Sequence, residues 1–255
     1  MEKAVIGGTG VYDLSDKNES KAVRTEYGDA EVDIIEFGGE KIVFLARHGK
    51  DHSKPPHQIN YKANMKALQK LGVRYVYATA AVGSCNEKYG PGDIVVVNDF
   101  LDFTKGRQLT FFEGEDMPVK HFDMSDPYCS NLRSEFYDKA EEKELQIAGS
   151  GVYVCTEGPR FETAAEIRMF QKLGGDVVGM TGVPEVVLAK ELGICYSSVA
   201  VITNWCTGMK SEVSEHEIKN SLADNKEKII EVILNIFQEG LDQKHCRCTE
   251  AAINV

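Results

Sequence analysis

Apolar positions fall into two kinds of run along this chain: short ones without a helical period, and longer ones recurring every three or four residues. The short runs predict strands at residues 4–6, 32–37, 42–46, 75–80, 94–98, 152–155, 177–180 and 198–203. Most of them, such as IVVVN, VVGM and SVAVIT, are too continuously apolar to face water on either side. The longer runs predict helices at 61–71, 131–145, 164–173, 185–192 and 213–237, three of them stopped by Gly72, Gly174 and Gly193. Strands alternating with helices over a buried sheet describe an α/β fold. No linker or repeat interrupts the pattern, so one domain over 1–255 is expected.

Composition narrows the function. The chain has 255 residues, 42% of them apolar and 27% charged, which is an ordinary globular balance. Forty acidic residues against 29 Lys and Arg give a formal charge of -11, so nothing offers the basic footprint of a nucleic-acid binder. An anionic ligand must instead meet a local basic site. No stretch reaches the roughly 18 apolar residues of a membrane helix, and residues 1–8 lack a signal peptide's apolar core, so a cytoplasmic protein is expected. Seven cysteines are scattered, with Cys246 and Cys248 forming a C-x-C tail beside His245. Two thiols and one imidazole lack a fourth ligand, so no metal site is expected and free thiols are the default.

Five segments carry candidate chemistry. Gly7-Gly8-Thr9-Gly10 follows the first strand and can bring backbone N–H groups and the Thr9 hydroxyl to an oxyanion; a plain tight turn is the competing reading. Arg47 and His48 emerge at the end of the strand IVFLA, where ligands of open α/β sheets sit. Arg47 can grip phosphate through its planar fork, or it can form a structural salt bridge. Thr79 to Ser84, including Ala80 and Ala81, reads as a strand running into a small-residue loop with N–H groups for the same anion. In 157–163, Phe161 can stack on a flat heterocycle and Glu162 can accept from its ring N–H groups. Asn204 ends the strand 198–203 with an amide that donates and accepts at once.

Together, AVIGGTG, FLARHG, PPHQINYKANMKAL, PGDIVVVNDFLDFT, EGPRFETAAEIRMF, DVVGMTGVPEVVLAKELGICY and VITN resemble the trimeric purine nucleoside phosphorylase and methylthioadenosine phosphorylase family over nearly the whole chain. The resemblance implies a mixed sheet partly closed like a barrel, a homotrimer or dimer of trimers, and no cofactor, with inorganic phosphate as co-substrate. It assigns phosphate to Thr9, Arg47, His48, the backbone at Ala80 and Ala81, and Thr181. Met180 would lie under the ribose, and Phe161 against the base. His121 would reach the 5′ pocket of a neighbouring subunit, and His216 would contact the 5′ end of the sugar. His52 and His57, flanking two prolines, read as exposed loop residues. Archaeal members share a C-x-C tail that can oxidise.

The chemistry implied is phosphorolysis in purine salvage: the glycosidic bond stretches, the sugar gains oxocarbenium character, and phosphate attacks the opposite face. Members acting on 6-aminopurines usually carry Asp where this chain has Asn204. The Asn204 and Glu162 pairing resembles the 6-oxopurine branch, so inosine and guanosine are the expected substrates, with 5′-methylthioinosine or 5′-methylthioadenosine as the alternative. A purine sensor or a water-using nucleosidase would not need a phosphate set of Thr9, Arg47, His48 and Thr181.

Overall fold

The computed structural model describes residues 1–7, 18–49, 53–114, 119–210, 215–241 and 246–254. In chain order the elements are β1 (Lys3–Gly7), β2 (Asn18–Thr25), β3 (Gly28–Phe37), β4 (Glu40–Ala46), α1 (Tyr61–Lys70), β5 (Tyr75–Ser84), β6 (Ile94–Phe103), β7 (Lys120–Phe122) and α2 (Ser130–Glu142). They continue with β8 (Gly149–Thr156), α3 (Ala164–Lys172), β9 (Val177–Gly179), α4 (Gly182–Glu191), β10 (Cys195–Trp205), α5 (Glu215–Glu239) and β11 (Ala252–Asn254).

Nine strands form one mixed sheet in the order β10-β6-β8-β9-β5-β1-β4-β3-β2, and β10 also pairs with β5. That extra pairing closes β5, β10, β6, β8 and β9 into a five-stranded barrel, from which the other four strands extend beyond β5. Strands β4, β1, β5 and β10 run parallel. Their pleat sends alternate residues to opposite faces. Ala4 and Ile6 join a core with Met65 and Leu68 of α1 and Val186 of α4, while Val5 joins a second core with Phe136 of α2 and Ile229, Ile233 and Phe237 of α5. Helices therefore cover both faces, as the unbroken apolar strands require.

Two sequence expectations need correction. The segment after Ala80 is not a loop: β5 continues to Ser84 because residues up to Ser84 pair with β10, and Gly83 and Ser84 also pair with β9. Strands β2, β7 and β11 carried no apolar signal. Strand β2 is a polar edge paired only with β3, and β7 pairs with β11 in a separate two-stranded sheet of three-residue strands. The helix expected at 185–192 holds with a lead-in, since α4 opens with Val183 in a non-helical conformation.

Candidate active site

The parallel strands β4, β5 and β10 end on the same side of the sheet, where α/β folds bind ligands. Here the end of β4, the small-residue half of β5, the turn after β9, the loop 157–163 and the end of β10 surround a cavity of about 300 Å³. Arg47, His48, Ala80, Ala81, Phe161, Glu162, Met180, Thr181 and Asn204 all line it. Thr9 lies outside the described residues.

Arg47 continues the β4 backbone, its N–H donating to the carbonyl of Gly7 at 3.0 Å. Its guanidinium is only 4% exposed, and its fork is already filled by Glu185 of α4: Nε donates to Oε1 at 2.6 Å and Nη2 to Oε2 at 2.8 Å. Nη1 donates to the carbonyl of Thr79 at 2.9 Å. Burial works against the charge of Arg47, yet the Glu185 carboxylate outweighs it and holds the guanidinium firmly protonated. Of the two readings of Arg47, the structural salt bridge is formed, with Glu185 as its partner. Three of the five N–H donors are taken, leaving two for a ligand. Glu185 also accepts from the hydroxyl of Tyr196 at 2.9 Å.

His48 faces the cavity with Nδ1 2.8 Å from the carbonyl of Lys54. A carbonyl can only accept, so Nδ1 carries the proton. At Thr181 the backbone N–H donates to the hydroxyl of Tyr153 at 3.2 Å, as does that of Gly182 at 3.3 Å. Burial pushes the Tyr153 hydroxyl up to about 12, so it stays neutral. Met180 sits against Gly158, whose φ of +65° suits glycine, and any Cβ there would fall 2.6 Å from the Met180 sulfur.

The opposite wall carries hydrogen-bonding groups suited to a heterocycle. Glu162 is buried, and its Oε1 accepts from the hydroxyl of Thr156 at 2.7 Å. It does not open α3. Thr163 caps that helix and forms a reciprocal capping box with Glu166, which frees Glu162 to face the cavity. Asn204 is placed by a bulge: the β5 register steps from Ile202 to Asn204, leaving Thr203 without a partner in the ladder. Its Nδ2 donates to the carbonyl of Trp205 at 2.9 Å, and its Oδ1 lies 2.9 Å from the hydroxyl of Thr203. A reversed amide would set oxygen against the Trp205 carbonyl, so the orientation is fixed. One N–H and one lone pair remain for a ligand. Phe161, 53% exposed, stands at the rim.

Residues 2–238 match the family described as the Phosphorylase superfamily. The chain belongs to that superfamily. A probable 6-oxopurine nucleoside phosphorylase of Moorella thermoacetica is 48% identical over 99% of this chain and 98% of that protein. The 6-oxopurine nucleoside phosphorylase of Pyrococcus furiosus is 45% identical, over 97% of this chain and 96% of that protein. The crystal structure of a methylthioadenosine phosphorylase sourced from an Antarctic soil metagenomic library superimposes with a TM-score of 0.89 at 32% identity, covering 98% of this chain and 90% of that one.

Not every expected residue meets in this superfamily member's cavity. His121 sits exposed on β7, opposite Ile253 of β11, and does not line the cavity of its own chain. His216 falls in α5, but its side chain is outside the described residues, as are His52 and His245. His57 is exposed in a 3-10 turn, and the neighbouring Pro56 lines the cavity instead.

Other contributors were not singled out from sequence. Glu185 was readable as a carboxylate inside the apolar run GVPEVVLA, which demands a buried cation. Arg107, 2% exposed, donates to the carbonyls of Thr156, Glu157 and Val183, tying the loop that carries Glu162 to the start of α4. Lys226 of α5 adds a cavity cation whose ammonium burial shifts downward. Nothing in its local sequence marks it.

The tail also needs correction. Cys246 and Cys248 do not stand alone, because the fold brings Cys129 and Cys195 to them, with all four sulfurs within 4.8 Å of one another. Separations of 117 and 51 residues from Cys246 hid this grouping from any local motif.

Proposed function

We propose that this chain is a purine nucleoside phosphorylase acting on 6-oxopurine nucleosides such as inosine and guanosine. The single observation that carries the reading is the locked Asn204 amide sharing one cavity with the buried carboxylate of Glu162. The remaining N–H of Asn204 suits a 6-oxo group, and its carbonyl suits a protonated nitrogen 7. Glu162 suits the N–H groups at ring positions 1 and 2.

Phosphate would be held by the two remaining N–H donors of Arg47, by His48 and by Thr181, aimed at the anomeric carbon from the face opposite the base. The bond from the anomeric carbon to nitrogen 9 breaks as its electron pair moves into the purine, a phosphate oxygen forms the new bond, and the purine anion takes a proton from water at nitrogen 7, giving ribose 1-phosphate and free base. Asn204 meets the charge developing on the base, and phosphate meets the charge on the sugar. This substitution calls for no redox or carbanion chemistry, so no organic cofactor enters the proposal.

The proposal includes a homotrimer or a dimer of trimers. Its support is His121, exposed and away from its own chain's cavity, where the resemblance expects a residue donated to the next subunit. Light scattering should give a trimer or a multiple of it, and a fully active monomer would refute the assembly. The test of function is purine release with and without phosphate, using inosine, guanosine, adenosine and their 5′-methylthio forms. Phosphate-dependent turnover favouring inosine or guanosine supports the reading. Release without phosphate, or a preference for adenine forms, overturns it.

A further inference from the structure

Away from the cavity, four cysteines from three distant segments of the chain converge on one point. Cys129 caps the N-terminus of α2, Cys195 opens β10, and Cys246 and Cys248 lie in the tail beyond α5, Cys248 starting a 3-10 turn at Cys248–Glu250. Cys129, Cys195 and Cys248 are buried and Cys246 is half-buried. We propose that these four thiols form a structural zinc site that fastens the C-terminal tail to the α/β core.

The geometry favours a shared ion. Cys195 and Cys246 sulfurs are 3.2 Å apart, those of Cys129 and Cys246 are 3.6 Å apart, and no pair exceeds 4.8 Å. Four points so spaced fit inside a sphere of about 2.9 Å radius. A tetrahedral zinc with sulfur ligands at about 2.3 Å needs S···S edges of about 3.8 Å, within the observed range. A disulfide needs about 2.05 Å and would join sulfurs only in pairs, whereas here Cys246 is close to two partners at once.

The surroundings suit thiolates. Zinc displaces one proton from each thiol, so the filled site carries a net charge of minus two and needs donors around it. The backbone N–H of Cys248 donates to the Cys246 sulfur at 3.3 Å. Cys129 sits at the positive end of the α2 dipole. A small void of about 10 Å³ lies beside Cys129, Cys195 and Cys246, with the buried Tyr75 in its wall. Four protein ligands leave no open position, which makes the site structural and not catalytic. The tail is already led there by pairing of β11 with β7, so the ion would complete an existing docking.

The test uses the wild-type chain purified under reducing conditions without chelator, with metals measured by mass spectrometry and thiols titrated in denaturant plus EDTA before any reduction. About one zinc per chain and all seven cysteines titrating supports the site. Zinc should leave as a mercurial modifies the thiols, and Cys248→Ser should retain at least roughly tenfold less zinc after the same dialysis. Three or five thiols with no zinc would mean disulfides and overturns the proposal. So do seven thiols that take up no zinc when it is added, and so does bound iron in its place. None of these readouts depends on the phosphorolysis assay.

Discussion

Arg47 and Glu185, 138 residues apart, close a two-pronged ion pair inside the cavity wall, with their side chains 4% and 1% exposed. The pair is neutral as a unit. In the proposed phosphate role, Arg47 would therefore meet the dianion through oriented N–H groups of an already neutralised pair, which favours aim over raw attraction at this residue. The same pair also joins β4 to α4, so its structural and chemical contributions must be separated by experiment.

Glu185→Ala should destabilise the fold by about 3–5 kcal/mol, because it leaves a buried guanidinium without its partner. The double variant Arg47→Met with Glu185→Leu should recover most of that loss, since apolar pairs of similar volume often replace buried ion pairs without penalty. It should nevertheless show no phosphate-dependent turnover. Urea melts and inosine phosphorolysis, measured on both variants, check this. Wild-type turnover in the double variant would reduce the pair to scaffold and sink the phosphate assignment.

How far the sequence reached depends on whether a signal was local. The apolar runs at 42–46, 94–98 and 198–203 announced buried strands because each is covered on both faces, and β4, β6 and β10 contain them. Polar β2 offered no such signal, because an edge strand earns its place by pairing and not by burial. Phe161, Glu162 and Asn204 could be chosen from single loops and strand ends. The filled fork of Arg47 could not, because its partner comes from another element. The four-cysteine cluster was hidden for the same reason. Thr181 was legible by resemblance, whereas the Tyr153 hydroxyl that takes its N–H is visible only in three dimensions.

Gly83 marks where β5 passes under Asn204. A Cβ there would stand 2.8 Å from the Cys206 sulfur and 3.2 Å from Asn204 Nδ2. Gly83→Ala should therefore displace the amide and lower kcat/KM for inosine by about a hundredfold, the usual order for a misplacement near 1 Å. Phosphate affinity should change little. Adding Cys206→Ala removes the nearer obstacle and should recover part of the activity. If Gly83→Ala is fully active, close packing at this glycine has no bearing on the base site.

Acid should loosen the start of α3, next to the loop that presents Glu162. Glu166, in the capping box of α3, is held at about 2 against an ordinary 4.5, first by the Arg160 guanidinium and then by the Thr163 N–H. A carboxylate with a depressed folded-state pKa stabilises fully above its unfolded value and loses that contribution as pH falls through the folded one. The window is thus pH 4.5 down to about 2. Its side chain is 32% exposed, so solvent screening keeps the contribution modest. Melting temperatures across that window should fall less steeply in Glu166→Gln than in the parent. Parallel curves would show that Glu166 titrates without consequence.

Base selection should turn on Asn204. Its Nδ2 already donates to the Trp205 carbonyl, so Asn204→Asp sets a carboxylate oxygen against that carbonyl as well as against the 6-oxo group. Two acceptors facing each other in a buried site typically cost about 1–3 kcal/mol, or roughly tenfold to more than a hundredfold in kcat/KM for inosine. Adenosine gains instead, because its 6-amino group can donate to the carboxyl. The Thr203 hydroxyl, 2.9 Å from Oδ1, can hold the other carboxyl oxygen and keep the side chain in place, so the variant should fold. With phosphate saturating, the inosine-to-adenosine ratio of kcat/KM should fall from above one in the parent to below one in the variant. An unchanged ratio, or a parent that already prefers adenosine, would mean that Asn204 does not read the six-position and that the 6-oxopurine reading fails.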